Sequence, residues 1–154
     1  MPYLIDGHNL IPKLGLRLDS HNDEMELVAI LQEFCRLERK QVEVYFDGAP
    51  APHAGQRKFG AVTAHFVALG YTADDAIQKR LKRMGRSAKN WSVVSSDRRV
   101  QAEARAAQAE MISSDAFARS LKQARNTAPK PGEHKQLTEH EVDEWLKIFT
   151  KRQP

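Results

Sequence analysis

Three apolar runs in this 154-residue chain stop at an aspartate: Tyr3-Leu4-Ile5 at Asp6, Val42 to Phe46 at Asp47, and Trp91 to Val94 followed by Ser95-Ser96-Asp97. Runs rich in β-branched and aromatic residues read as buried strands. If those strands are parallel, their C-terminal ends share one edge, where open α/β sheets keep their ligand crevice. A fourth carboxylate, Asp74, lies one turn before Ile77 and two before Leu81, on the helix face expected to pack on the sheet. Asp6, Asp47, Asp74 and Asp97 should therefore converge.

Crowded carboxylates repel one another, and burying them unpaired costs several kcal/mol, so such a cluster calls for a cation or shared protons. Oxygen-only ligation by few ligands favours one or two Mg²⁺ or Mn²⁺ ions, which keep several waters and leave room for phosphate oxygens. Ions so held can generate a hydroxide nucleophile and clamp both oxygens of an in-line phosphodiester displacement. No cysteine or histidine nucleophile is required. His8, His21, His53, His65, His134 and His140 have no ligand spacing among them and read as surface or packing groups, with only His8 near the site.

Local roles compete with this reading. An isolated Asp6-Gly7 is more often a turn. Asp75, three residues after Thr72, divides evenly between support of a helix N-cap and metal binding. Asp97 has the option of capping the helix that follows it, with Ser96 as a rival cap, and Asp115 after Ser114 is read as a cap. Asn9, three residues after Asp6, has an amide suited to orienting a carboxylate or holding a phosphate, although a lone loop asparagine is more often a turn residue.

The elements that must position these groups alternate. After the strand at 3–5, Met25, Val28, Leu31, Phe34 and Cys35 recur at helical spacing over 22–39, and a strand follows at 42–46. Gly48 to Gly60 reads as an exposed loop carrying Arg57 and Lys58, and 61–69 as a strand. Thr72 should cap a helix over 73–84 that Gly85 terminates. A strand at 91–94, an Ala-rich helix to about 108, a short strand at 111–112 and a helix capped by Ser113 or Ser114 complete the series. Strands separated by helices imply right-handed crossovers. The expected fold is an α/β three-layer sandwich with a mainly parallel central sheet. Residues 1–124 should form this domain, 125–136 a linker containing Pro129, Pro131 and Gly132, and 137–154 a last helix opened by Thr138 and Glu141 at capping-box spacing, docking back through Val142, Trp145, Leu146 and Phe149.

Length and a hydrophobic content of 41% suffice for one core without staples. The single cysteine, Cys35, excludes an internal disulfide, reads as a buried thiol and suits a reducing compartment. The N-terminal residues lack the basic and long apolar regions of a signal peptide, and no apolar run reaches membrane-spanning length, so the expectation is a cytoplasmic protein with no membrane partner. Charge is unevenly distributed: residues 1–50 carry 5 basic and 9 acidic side chains, and residues 79–105 carry 9 basic and 2 acidic ones. The basic stretch, which includes Lys82 and Arg83, suits a polyanion, although a solvated helix face is the commoner meaning of such a run. Trp91 reads as core rather than as a stacking platform.

The residues also resemble a known family. Asp6-Gly7-His8-Asn9-Leu10-Ile11 resembles the D-G-x-N-x-I opening of NYN domains, a PIN-like nuclease group, and specifically their YacP-like branch. Val44-Tyr45-Phe46-Asp47-Gly48 is similar to its second-strand F-D-G element, Thr72 to Ile77 to its helix-borne A-D-x-x-I motif, and Val93 to Arg98 to its V-V-T-S-D-R element. Ser113 to Phe117 is the least specific match. The resemblance covers about residues 1–124, and the last helix also looks like that branch's C-terminal one. It implies a metal-dependent endoribonuclease in which Asp6, Asp74 and Asp97 are the principal metal-binding and catalytic carboxylates. Asp47 and Asn9 would support the site, Arg98 would stand near the substrate phosphate, and Ser96 beside it counts with the substrate-binding groups. RNA, free or presented in a larger ribonucleoprotein, would be the partner of a chain expected to be monomeric. Two positions depart from the pattern: Gln78 stands where glutamate is frequent, and Ser95 where threonine is usual.

Two other readings compete. A non-catalytic RNA-binding module would keep the fold and basic helix without turnover. A phosphatase of the haloacid dehalogenase type also begins with an aspartate after strand one, but needs a second aspartate two residues later, where this chain has His8.

Overall fold

Successive side chains of a strand point to opposite faces, and in β1 (Tyr3–Asp6) both Leu4 and Ile5 are fully buried. The sheet is therefore covered on both sides. The computed structural model describes residues 2–16 and 21–127. In chain order they form β1, α1 (Gly7–Leu10), α2 (His21–Glu38), β2 (Val42–Ala49), β3 (Gly55–Phe59), β4 (Val62–Ala68), α3 (Ala73–Met84), β5 (Ser92–Val94), α4 (Arg98–Ala106), β6 (Glu110–Ile112) and α5 (Ser114–Thr127). The sheet order is β3-β4-β2-β1-β5-β6, and only the β3–β4 pair is antiparallel.

One core layer joins Ile5, Val44 and Phe46 to Leu31 and Phe34 of α2 and Phe117 of α5. The other joins Leu4, Tyr45 and Val93 to Ile77 and Leu81 of α3 and Val100 of α4. Each such fully buried aliphatic or aromatic side chain contributes about 1.5–3 kcal/mol. The result is the expected α/β/α sandwich. Trp91 is partly buried against the second layer, with the Arg80 guanidinium 5.3 Å from its ring centre. Cys35 is buried, and burial pushes its thiol up to about 11.

Four expectations need correction. The segment 48–60 is not a single loop, since β2 runs through Asp47 to Ala49 and Gly55–Phe59 pairs as an edge strand with β4. Its signal was weak because β3 is almost wholly exposed and so shows no apolar alternation. The chain after Asp6 does not enter a loop but turns at once into α1 and a 3-10 turn at Ile11–Leu14. The last described helix extends to Thr127, so the linker does not begin at 125. Its N-cap is Ser113, whose Oγ accepts from the Ala116 N–H at 3.1 Å, and Asp115 instead pairs with Lys13 Nζ at 3.3 Å. Most of the proposed linker and the last helix lie outside the described residues. Among those residues, no helix is long and apolar enough to cross a membrane.

Candidate active site

Register brings the strand-end groups together. Ile5 pairs with Val94 and Asp6 with Tyr45, so Asp6 stands beside Ser95 and two residues short of Asp47. Gly7 makes the tight exit from β1 feasible: a Cβ there would lie 2.9 Å from the Tyr45 carbonyl oxygen and nearer still to the Phe46 ring.

Ser95, fully buried, donates its hydroxyl to Asp6 Oδ2 at 3.3 Å and accepts from the Asp97 N–H at 3.0 Å. Burial pushes the Asp6 carboxyl up to about 6; the Ser95 hydrogen bond and His8 oppose this, and the negative charges of Asp47 and Asp97 add to it. Asp97 caps α4, with Oδ1 accepting from the N–H groups of Arg99 at 2.8 Å and Val100 at 3.4 Å. Its capping role is thus real, and it holds the carboxylate at the sheet edge.

Asp47 is tied down on both oxygens. Oδ2 accepts from the Ala73 N–H at the start of α3, at 3.3 Å, and Oδ1 lies 2.9 Å from His8 Nδ1. His8 Nε2 is 2.5 Å from Glu24 Oε2. Burial would push the His8 pKa down, but the two flanking carboxylates outweigh it and the net direction is up, favouring an imidazolium that donates from both nitrogens. His8 is therefore neither a surface nor a packing group. It bridges β2 to α2.

Asp74 faces α4. Its Oδ2 is 3.1 Å from Arg99 Nε, which also lies 3.7 Å from Glu103 Oε2. Asp74 Oδ1 and Glu103 Oε1 are buried without hydrogen-bond partners among the described residues. Burial first, then the neighbouring Asp74, pushes the Glu103 carboxyl up to about 7. Asp75 is more exposed and reaches Arg99 at 3.8 Å, while its N–H donates to Thr72 Oγ1 at 3.0 Å, the N-cap bond of α3.

The acidic edge thus has two parts, one of Asp6, Asp47 and Asp97 coupled by charge, the other of Asp74 with Glu103. Among the described residues no group of three or more His, Cys, Asp or Glu side chains is gathered to hold a metal ion. The donor set still suits a hard cation, because Mg²⁺ commonly takes one or two carboxylates and fills its remaining positions with water. The partnerless oxygens of Asp74 and Glu103 and the raised Asp6 carboxyl are what such a cation would relieve.

The expected substrate groups divide. Asn9 Oδ1 accepts from the Ser96 N–H at 2.7 Å and the Ser114 hydroxyl at 2.6 Å, and Ser96 Oγ accepts from the Ser114 N–H at 3.0 Å. Both clasp the β5–α4 loop to α5. Arg98 is exposed, with no hydrogen bond or ion pair among the described residues. Lys82 and Arg83 are exposed in the last turn of α3, roughly 12 Å along the helix from Asp74 at 1.5 Å per residue. Gln78 and Lys82 line a cavity of about 320 Å³ with Glu103 and Ala107. Arg80 is not part of the free basic face, since its guanidinium forks onto Glu43 with two 2.9 Å bonds.

Sequence reasoning missed Glu24 and Glu103 and underrated His8 and Ser95. Position beside Asp6 was the only signal for His8, and none marked Glu24. Glu103 stands four residues after Arg99, but its approach to Asp74 depends on how α3 packs against α4.

A family model described as a YacP-like NYN domain matches residues 3–152. Among solved structures, Rae1 (YacP) from Bacillus subtilis superposes with a TM-score of 0.66 at 20% identity, covering 100% of this chain and 84% of that one. A mutant of the same Bacillus subtilis protein gives a TM-score of 0.63 at 21% identity, over 81% of this chain and 77% of that one. No curated protein matches.

Proposed function

Because the chain belongs to the family of YacP-like NYN domains, with their nuclease-like fold, we propose that it is a metal-dependent endoribonuclease hydrolysing RNA phosphodiester bonds at the acidic edge of the sheet. The observation that carries this reading is that Asp6, Asp47 and Asp97 follow adjacent strands at one edge of the sheet, where the charges of the latter two add to the rise of the Asp6 carboxyl. Asp6, Asp97 and Asp74 would hold Mg²⁺ or Mn²⁺, supported by Asp47 and, more remotely, Asp75. When bound, the ion supplies charge neutralisation and an acidified water for in-line attack.

The chain's own residues do the positioning. Ser95 orients Asp6 and fixes the Asp97 backbone, His8 and the Ala73 N–H hold Asp47, and Asn9 with Ser96 anchors the loop that carries Asp97. Exposed Arg98, next to Asp97 in the chain, would meet a phosphate oxygen. RNA as substrate is the family expectation, and the basic residues beyond α3 are compatible with a polyanion.

One observation favours a second reading, a non-catalytic RNA-binding module: Asp97 is engaged as a helix cap and Asp74 by Arg99, which dilutes the free acidic character of the edge. A Mn²⁺-dependent RNA cleavage assay of wild type against Asp6→Asn separates the two. The nuclease reading expects cleavage by wild type and its loss in the variant; equal cleavage by both proteins, or none by either, ends it.

A further inference from the structure

Leu69 and Tyr71 are the large hydrophobic side chains most exposed among the described residues, at 66% and 63%. Single exposed apolar groups are ordinary on a protein surface. Their place is less ordinary. Leu69 follows β4 and hydrogen-bonds through its N–H to the Ala49 carbonyl, at the end of the strand that carries Asp47. Tyr71 stands two residues before Ala73, whose N–H holds the Asp47 carboxylate, and three before Asp74. The intervening Gly70, at φ 94°, lets the chain turn sharply between them. Two apolar groups thus flank the acidic edge on its β4 side.

An exposed aromatic ring beside a carboxylate edge matches two pieces of a single strand of nucleic acid, an unpaired base and the scissile phosphodiester. A patch of two side chains is too small for a stable protein interface, which buries about 800 Å² per partner.

Resting on the nuclease reading above, we propose that Tyr71, with Leu69 beside it, is a stacking platform for an unpaired nucleobase of the RNA strand whose backbone crosses the acidic edge. The platform selects single-stranded over duplex RNA, because a paired base keeps both faces stacked within its helix.

The test measures binding of the full chain to a fluorescein-labelled single-stranded RNA of about ten nucleotides, a typical single-strand site size, in EDTA so that no cleavage occurs. Tyr71→Ala should weaken binding about 5- to 150-fold, the range for losing one base–aromatic stack. Tyr71→Phe should bind like wild type, and a duplex of the same sequence should be indifferent to either change. Equal binding of the single strand by wild type and Tyr71→Ala overturns the platform. Failure of wild type to bind the oligonucleotide overturns it as well. A chain that binds in this pattern but never cleaves sinks the nuclease reading alone, and one that cleaves yet ignores Tyr71→Ala sinks the platform alone.

Discussion

The Ser95 hydroxyl lies 3.3 Å from Asp6 Oδ2, the only hydrogen bond that carboxylate accepts among the described residues, and the same oxygen of Ser95 accepts from the Asp97 N–H. One buried serine therefore favours the ionised form of one acid and fixes the place of another. Asp6 is pushed up to about 6, chiefly by burial. If Asp6 binds the ion as a carboxylate, Mn²⁺ affinity should rise with pH through about 6, as the proton is displaced. Ser95→Ala removes the bond that opposes the shift and should move this acid limb upward by roughly half to one pH unit. An unmoved limb in Mn²⁺ titrations of the two proteins across pH would detach it from Asp6.

Glu103 is pushed up to about 7 by burial and by Asp74. A carboxyl whose folded value lies above its unfolded one stabilises the fold fully below about 4.5, and that contribution is lost as pH rises through about 7. Glu103→Gln should accordingly raise the Tm at pH 8 in EDTA, with little change at pH 5. Thermal melts at the two pH values check it, and a variant less stable at pH 8 than wild type would refute the strained pair.

Asn9→Ala should cost about 1–3 kcal/mol, because the buried Ser114 hydroxyl and the Ser96 N–H lose their shared acceptor. Urea denaturation measures this directly. A midpoint within error of wild type would mean that Asn9 serves the substrate rather than the loop.

Lys82→Glu with Arg83→Glu should weaken RNA binding and reduce the slope of log affinity against log salt by about 1–2, since each single-strand phosphate contact contributes roughly 0.7. Fluorescence titrations between low and moderate salt decide it. An unchanged slope would show that the end of α3 faces away from the strand, a real alternative given that these side chains sit about eight residues beyond Asp74.

The sequence by itself determined the alternation of strands and helices, the two-sided burial of the sheet and the placing of Asp6, Asp47 and Asp97 on one edge. These follow from local periodicity and from the parallel topology that such periodicity enforces. The caps at Thr72 and Asp97 were likewise legible, because an N-cap is a bond between near neighbours in the chain. Only the tertiary structure decided the long-range partnerships: His8 between Asp47 and Glu24, Asn9 holding Ser114, and Asp74 turned towards Glu103. Those contacts join residues 16 to 105 positions apart. No local spacing encodes them, because they exist only once two packed layers and a strand register have fixed which helix ends meet. The exposed edge strand β3 also escaped notice, since pairing with β4 through backbone groups leaves no pattern in side chains that face water.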